Sequence, residues 1–433
     1  MGLAILALCL AAAPALAQEQ ATTVEQDEAN LSRLEGYLRL DRKNPVAYHN
    51  RGVIYFRLGQ YDKALADLTE AIRFDPKRAE TYKGRGSVYL QMDDFARAVA
   101  DFTSAIKLKG DYVQAYIGRG SAYALNDQYD LALADFDKAL QIDPNSDDAY
   151  GNRAAMFLRQ SQFERAIPDF DRAIALGPQK PDHYHNRGMT YLRLGQYDKA
   201  IADLTQAIGL DNNRVVSYLN RGVVYYEKGD YANAIPDFTH AIQNSSYVQA
   251  YTGRGAAYTK IGRYDLAMAD FDKAFQIAPN SGDAYGGRGV LFSLQSQFDR
   301  AIPDFDRAIA LDPKNVDFYN GRGETFFRMQ QFDKALADLD RAVTLNPKQV
   351  VALFNRAKVY VQLGKLDEAI VDFSTAITFK PDFPTAYYGR GIALGRKGDI
   401  ARATADFEEA LRLKPDFPEA RQALQMVQSG TEL

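Results

Sequence analysis

The chain has no tryptophan, one cysteine and four histidines in 433 residues, and each scarcity removes a class of chemistry. The cysteine is Cys9, inside an apolar first segment. Without that segment the chain holds no disulfide, no thiolate metal site and no cysteine nucleophile. A thiol-free chain is compatible with an oxidising compartment without requiring one. The histidines are His49, His183, His185 and His240. His183 and His185 stand two apart, so on a helix they point in different directions. A His-x-His metal site would need further ligands that the sequence does not place. No strand is predicted, and Gly-Arg-Gly at 84–86 and 118–120 lies inside helical patterns, so neither is a phosphate loop. The expectation is therefore no catalytic residue, no metal and no cofactor. Charge of one sign is also lacking: 52 Lys and Arg stand against 56 Asp and Glu, a formal net charge of −4. A nucleic-acid partner would favour a basic face, so none is expected.

Long apolar runs are confined to Met1–Ala17, MGLAILALCLAAAPALA, which ends in the small-x-small pattern Ala15-Leu16-Ala17 before Gln18. That is the pattern of a secretory signal peptide, and it predicts a periplasmic or secreted protein with no stable membrane insertion after cleavage. The segment lacks Lys or Arg in its first residues. An uncleaved anchor is the alternative, although 17 residues fall short of the roughly 20 that span a bilayer. A lipoprotein acceptor at Cys9 is disfavoured by the bulky Leu8 before it. Residues 18–30 are polar and acidic and are predicted to be a disordered linker. Leu31, Leu34, Leu38 and Leu40 then recur at near-helical spacing, which predicts a capping helix over 31–43.

From 44 to 416 the chain is one motif written eleven times. The copies begin near Pro45, Ala79, Val113, Asp147, Pro181, Val215, Val248, Gly282, Val316, Val350 and Pro384, a period of 34 with one deletion near Asn244-Ser245-Ser246. Position four is Tyr in ten copies, with Leu353 the exception. Position eight is Gly in nine copies and Ala in two, Ala154 and Ala357. Positions twenty (Ala64 through Ala403) and twenty-seven (Ala71 through Ala410) are Ala in all eleven. Small residues at these places let antiparallel helices approach closely, and the aromatics fill the space beside them. Asp62, Asp130, Asp198, Asp265, Asp299, Asp333 and Asp367 are expected to cap the second helices. Pro168, Pro236 and Pro303 fall early in second helices, where a slight kink is expected.

Two helices per 34 residues, with small residues at fixed places and a terminal proline, resembles the tetratricopeptide repeat family over roughly Leu31 to Val427. The resemblance implies an all-α fold: a right-handed α-solenoid of eleven helix-turn-helix repeats with N- and C-terminal capping helices. Residues 417–433 form the second cap, with Arg421, Gln422, Gln425 and Gln428 on a polar outer face. Blocks recur at four repeats, as in Ser161 to Leu176 and Ser296 to Leu311, so the array is expected to have grown by block duplication.

Position seven is Arg and position twenty-three is Asp in every copy, where the family usually has an apolar seventh residue. In an antiparallel hairpin turning near position fifteen, these two lie opposite each other. Partly buried pairs are predicted, as in Arg51–Asp67, Arg187–Asp203 and Arg322–Asp338, with bidentate geometry. An anion-binding arginine ladder is the functional alternative. The one-to-one count favours internal pairing.

The resemblance also implies a concave groove lined by the first helices, to which the second, fifth, sixth, ninth, twelfth and thirteenth residues of each repeat contribute. The partner-binding candidates are His49, Asn50, Phe56, Arg57, Asn152, Arg159, His185, Asn186, Met189, Arg193, Leu219, Asn220, Tyr226, Asn320, Phe327, Arg328, Asn355 and Tyr388. Sixth-position asparagines would hydrogen-bond the backbone of an extended peptide, since an amide donates and accepts at once. The Lys and Asn set with which co-chaperone members clamp acidic tails is not matched: Lys83 is followed by Ser87 and Gly118. Basic thirteenth and acidic second positions either make two charged walls or complement helix dipoles. The implied function is a non-catalytic scaffold for protein or peptide segments, exported and suited to an envelope complex. The alternative is carbohydrate or cell-wall polymer binding in an envelope assembly or export complex, with Phe56, Tyr226, Phe327 and Tyr388 as stacking platforms.

Overall fold

A computed structural model describes residues 24–431 and contains 24 helices and no strand among them. Helices are numbered α1 to α24 in chain order. Each repeat is a first helix of 13 residues and a second of 14, such as α2 (Pro45–Arg57) and α3 (Tyr61–Phe74). One first helix, α12 (Val215–Lys228), is a residue longer. The described chain forms two compact units, 24–224 and 225–431, which divide within α12. In each unit, helices that follow one another in sequence pack as hairpins, and the hairpins stack in order.

The hairpin turn is closed at position fifteen by left-handed backbone in every repeat. Six of these residues are glycines, with φ between 69° at Gly195 and 89° at Gly398. The other five carry side chains: Asp93, Asp127, Ser161, Ser296 and Gln330, all with φ of 57–60°. That conformation brings the Cβ of an L-residue against its carbonyl, so these five turns are strained where the glycine turns are not.

The position-twenty and position-twenty-seven alanines are buried throughout. They admit a Phe or Leu at position twenty-four, which lies against position eight of its own repeat and packs tightest where that residue is glycine rather than Ala154 or Ala357. A Cβ on Gly120 would lie 2.8 Å from Phe136, and one on Gly391 would lie 2.6 Å from Phe407. Interiors packed at crystal density leave little room for that extra methyl unless the ring beside it shifts. Position six is often a second glycine that meets the same ring from the next repeat, as Gly118 meets Phe102.

Arginine at position seven fastens two repeats at once. In ten repeats Nε donates to aspartate Oδ2 at 2.6–2.8 Å and Nη2 donates to Oδ1 at 2.7–2.9 Å, from Arg51–Asp67 to Arg390–Asp406. Hydrogen bonding to the carboxylate pushes each guanidinium above its ordinary pKa, as at Arg187 and Arg322. The third nitrogen, Nη1, reaches back to position twenty-five of the preceding repeat. Nine such bonds span 2.5–3.2 Å, to Thr69, Thr103, Asp137, Asp171, Thr205, Thr239, Asp306, Asp340 and Ser374. The sequence reading anticipated the bond within a repeat and missed the bond between repeats.

Two expectations change. Residues 24–30, expected to be disordered, are the first turns of α1 (Val24–Leu40). The reason is one contact: Asp27 is buried and receives Arg57 on both carboxylate oxygens. The proposed signal peptide, 1–17, lies outside the described residues. The aspartates expected to cap second helices sit one residue inside them; Asp62, Asp130 and Asp198 lie in the first turn, and Gln60, Gln128 and Gln196 hold the cap position without a side-chain bond. Their contribution is through the helix dipole. Aspartates do cap where they stand two residues earlier, as Asp94 accepts from Arg97 N at 3.1 Å. At the other end, α24 (Pro418–Gln428) exposes Arg421, Gln422, Gln425 and Gln428. No helix among the described residues is long and apolar enough to cross a membrane.

Two predictions follow from the turn and from the arginine. Ser161→Gly, Ser296→Gly and Gln330→Gly should each raise stability by about 0.5–1 kcal/mol in denaturant unfolding, since relief of left-handed strain exceeds glycine's added freedom in the unfolded chain. Arg187→Leu should cost about 3–5 kcal/mol, because it leaves Asp203 buried and unpaired. Adding Asp203→Leu should recover most of that loss. Equal stability of the single and double variants in thermal melts would sink the pairing account.

Candidate functional site

First helices of consecutive repeats lie side by side within each unit, and their contacts decide which groove candidates stay free. Position five of one repeat meets positions three and six of the next. His185 Nδ1 is 2.9 Å from Ser217 Oγ, and Asn220 Nδ2 is 3.2 Å from His185 Nε2. Asn355 Nδ2 donates to Asn320 Oδ1 at 3.0 Å. Position nine meets position six in the same way, as Ser121 Oγ donates to Asn152 Oδ1 at 3.2 Å.

Eight of the sequence-predicted groove residues are therefore packing residues. Phe56, His185, Met189, Leu219, Asn220, Tyr226, Asn320 and Asn355 are all at or below 8% exposed. The physical reason is that adjacent first helices approach closely enough to cover most side chains at positions five and twelve, together with Met189, Asn220 and Asn355. Phe56 and Tyr226 lie against Tyr61 and Tyr231 of their own second helices, at ring separations of 5.9 and 5.4 Å. Asn50, Arg193 and Arg328 are exposed, and His49, Arg57, Asn152, Arg159, Asn186, Phe327 and Tyr388 are part-exposed.

Electrostatics narrows the set further. Arg57 is held by Asp27, and Arg159 Nη2 donates to Asp127 at 3.2 Å. Arg328 lies 3.9 Å from Glu324. Among the described residues no acceptor lies within hydrogen-bonding distance of Arg193. Acidic second positions are mostly answered from position thirty-four of their own repeat: Lys180 Nζ donates to Asp148 at 2.7 Å, Arg214 pairs with Asp182 at 2.5 Å, and Gln349 donates to Asp317 at 3.2 Å. His185 is pushed down to about 3 by burial and by Arg214, so it is neutral. With the Asn220 amide donating to Nε2, its proton stands on Nδ1 and is donated to Ser217. His49 is pushed to about 4 by burial and by Arg78 and Lys83.

Sequence reasoning missed α1 as part of this face. Asn30, Arg33, Leu34 and Tyr37 join His49, Asn50 and Val53 around a cleft of about 360 Å³. The leucine spacing signalled the helix, but only the packing shows which polar residues it presents.

Asp283 has no such answer. Its position-thirty-four residue is Asn315, whose side chain caps α18 (Val316–Arg328) by accepting from Asp317 N at 3.0 Å. Burial, with Asp312 and Asp317 adding repulsion, raises Asp283 to about 6. The folded state thus binds its proton more tightly than the unfolded chain does. Its contribution is most favourable below the ordinary aspartate value of about 3.8 and is lost as pH rises through about 6. Asp283→Asn should accordingly raise the melting temperature at pH 8, by the equivalent of about 1–3 kcal/mol, and leave it unchanged near pH 3.5. Parallel pH-dependent melts check this; an equal shift at both pH values would refute it.

Comparison with known proteins agrees with this architecture. Models described as "Tetratricopeptide repeat" match residues 45–78, 83–147, 136–167, 153–219, 215–246, 248–281, 288–350 and 384–417, and a "TPR repeat" model matches 357–398. A search of curated proteins returned no match. Among solved structures, the APC/C hetero-tetramer Cut9–Hcn1 is similar at 15% identity and a TM-score of 0.52, covering 93% of this chain and 94% of that one. Yeast Tom70 is similar at 20% identity and TM-score 0.48, covering 89% and 95%. YrrB, described as a TPR protein with an unusual peptide-binding site, is 26% identical at TM-score 0.34 and covers 43% of this chain and 97% of its own. The alternating 13- and 14-residue helices, the small residues that seat position twenty-four and the run of family matches from 45 to 417 place this chain in the tetratricopeptide repeat family.

Proposed function

We propose that the protein is a non-catalytic scaffold that holds an extended protein segment along the first-helix face of its repeats. One observation carries this reading. The packing and fastening positions repeat almost without change, while positions two and thirteen of the first helices, exposed or part-exposed in every repeat, differ from copy to copy. A surface whose chemistry varies on an invariant frame is suited to reading a sequence of side chains. Asn50, Asn186 and Arg193 are the least committed polar groups on that face in the unit 24–224. An amide and a guanidinium there suit backbone carbonyls and acidic side chains of a peptide. The pattern of Met1–Ala17 supports export, and with it a partner in the envelope or outside the cell. Polysaccharide binding loses support, because two of its four aromatic platforms, Phe56 and Tyr226, are buried.

A photoreactive residue placed in turn at Asn50, Asn186 and Arg193 should capture protein in cells, while one at Glu164 on a second helix should not. Arg193→Ala should weaken capture from Asn186. Glycan adducts alone, or equal capture from Glu164, would overturn the reading.

A further inference from the structure

The repeat acts as an internal alignment, and the residues that break it gather at one junction. Position one is uncharged in ten repeats and Asp only in the fourth, at Asp147. Position three is Ala, Ser or Thr in nine repeats, with His183 and Phe318 the exceptions. Position five is Gly only at Gly151 and Gly286, each one repeat before a large third-position side chain. The pairing is steric: a Cβ on Gly151 would lie 2.6 Å from His183 Cε1, and one on Gly286 would lie 2.6 Å from Phe318 Cε1. These are two copies of one knob and hole, four repeats apart.

The second copy shows what packing alone needs, which is an apolar ring. The first copy differs by a coordinated set of polar changes. Asp147 and Asp148 begin the helix α8 (Asp147–Arg159), and the buried His183 comes from α10 (Pro181–Arg193). One donor atom from each of Asp147, Asp148 and His183 lies within 4.8 Å of the other two, and His183 Nε2 is 3.3 Å from Asp147 Oδ2. Tetrahedral ligands about 2.1 Å from zinc are about 3.4 Å apart, so that separation fits a shared ion. Gly177 leaves room for the carboxylate, since a Cβ there would lie 2.2 Å from Asp147 Oδ2. Lys180 Nζ stands against both aspartates, at 2.6 and 2.7 Å. The equivalent residues in the second copy are Gly282, Asp283, Asn315 and Phe318, with one carboxylate and no imidazole.

We propose that Asp147, Asp148 and His183 form a divalent-metal site that clamps the first helices of the fourth and fifth repeats, with Lys180 the cation that holds the place when metal is absent. One imidazole nitrogen and two carboxylates suit zinc or manganese. An ammonium offsets one of the two carboxylate charges, whereas a divalent ion offsets both. The lysine's flexible four-carbon stem lets it swing away. Three protein ligands leave a coordination position for water. The inference is independent of what the first-helix face binds.

The test is zinc binding to the tag-free full chain, by equilibrium dialysis with parallel thermal melts. His183→Phe reproduces the ring of the second copy opposite a glycine that accepts it, so the fold is retained while the ligand is removed. One zinc per chain is expected, with a raised melting temperature. Affinity should fall at least ten-fold in His183→Phe and rise at least ten-fold in Lys180→Gln. No zinc on the native chain, native affinity in His183→Phe, or no gain in Lys180→Gln would each overturn the proposal.

Discussion

Everything in the array depends on a guanidinium shared between two hairpins. Removing an arginine and an aspartate from water is costly, and a single buried pair is weak evidence for stability. Here the cost is moderated, because the arginines keep roughly a fifth of their side-chain surface in solvent. What the pair supplies is direction. Two parallel bonds to the aspartate fix the angle between the helices of one repeat. The third nitrogen fixes that repeat against the one before it. Tyrosine rings at positions four and eleven stand near the cation, as Tyr184 and Tyr191 each lie 5.9 Å from Arg187. An apolar seventh residue would pack there without selecting an orientation.

That directional frame explains why so much of the sequence can be monotonous. With orientation set by charge, the core needs only correct volume, and alternating Ala, Gly and Phe or Leu meets it. Monotony has its own hazard, because near-identical repeats can stack out of step. The Gly151–His183 and Gly286–Phe318 pairs answer it. A large ring fits only opposite a missing Cβ, so the two pairs, four repeats apart, limit which first helices can be neighbours.

The same frame separates structure from function on the first helices. Seen as a list of positions, the inner face looked continuous from His49 to Tyr388. In the folded chain it divides into a covered row and an open row. The covered row includes the His185–Ser217–Asn220 network, which is buried and neutral. The open row keeps Asn50, Asn186 and Arg193 at least partly in contact with solvent.

Much was legible from the sequence alone, because a period of 34 makes every residue comparable with ten others. It determined the helix pairs, the small-residue contacts and the match of position seven with position twenty-three, since these depend on spacing within one hairpin. The tertiary structure decided what depends on the distance between hairpins. It showed that positions five and twelve are covered in most repeats, that Arg Nη1 reaches the preceding repeat, and that Asp27 draws α1 onto Arg57. It also brought Asp147, Asp148, Lys180 and His183, spread over 37 residues, to one point. Local periodicity records which residues share a face; only packing between repeats sets how closely two faces approach, and that distance separates a buried contact from an open site.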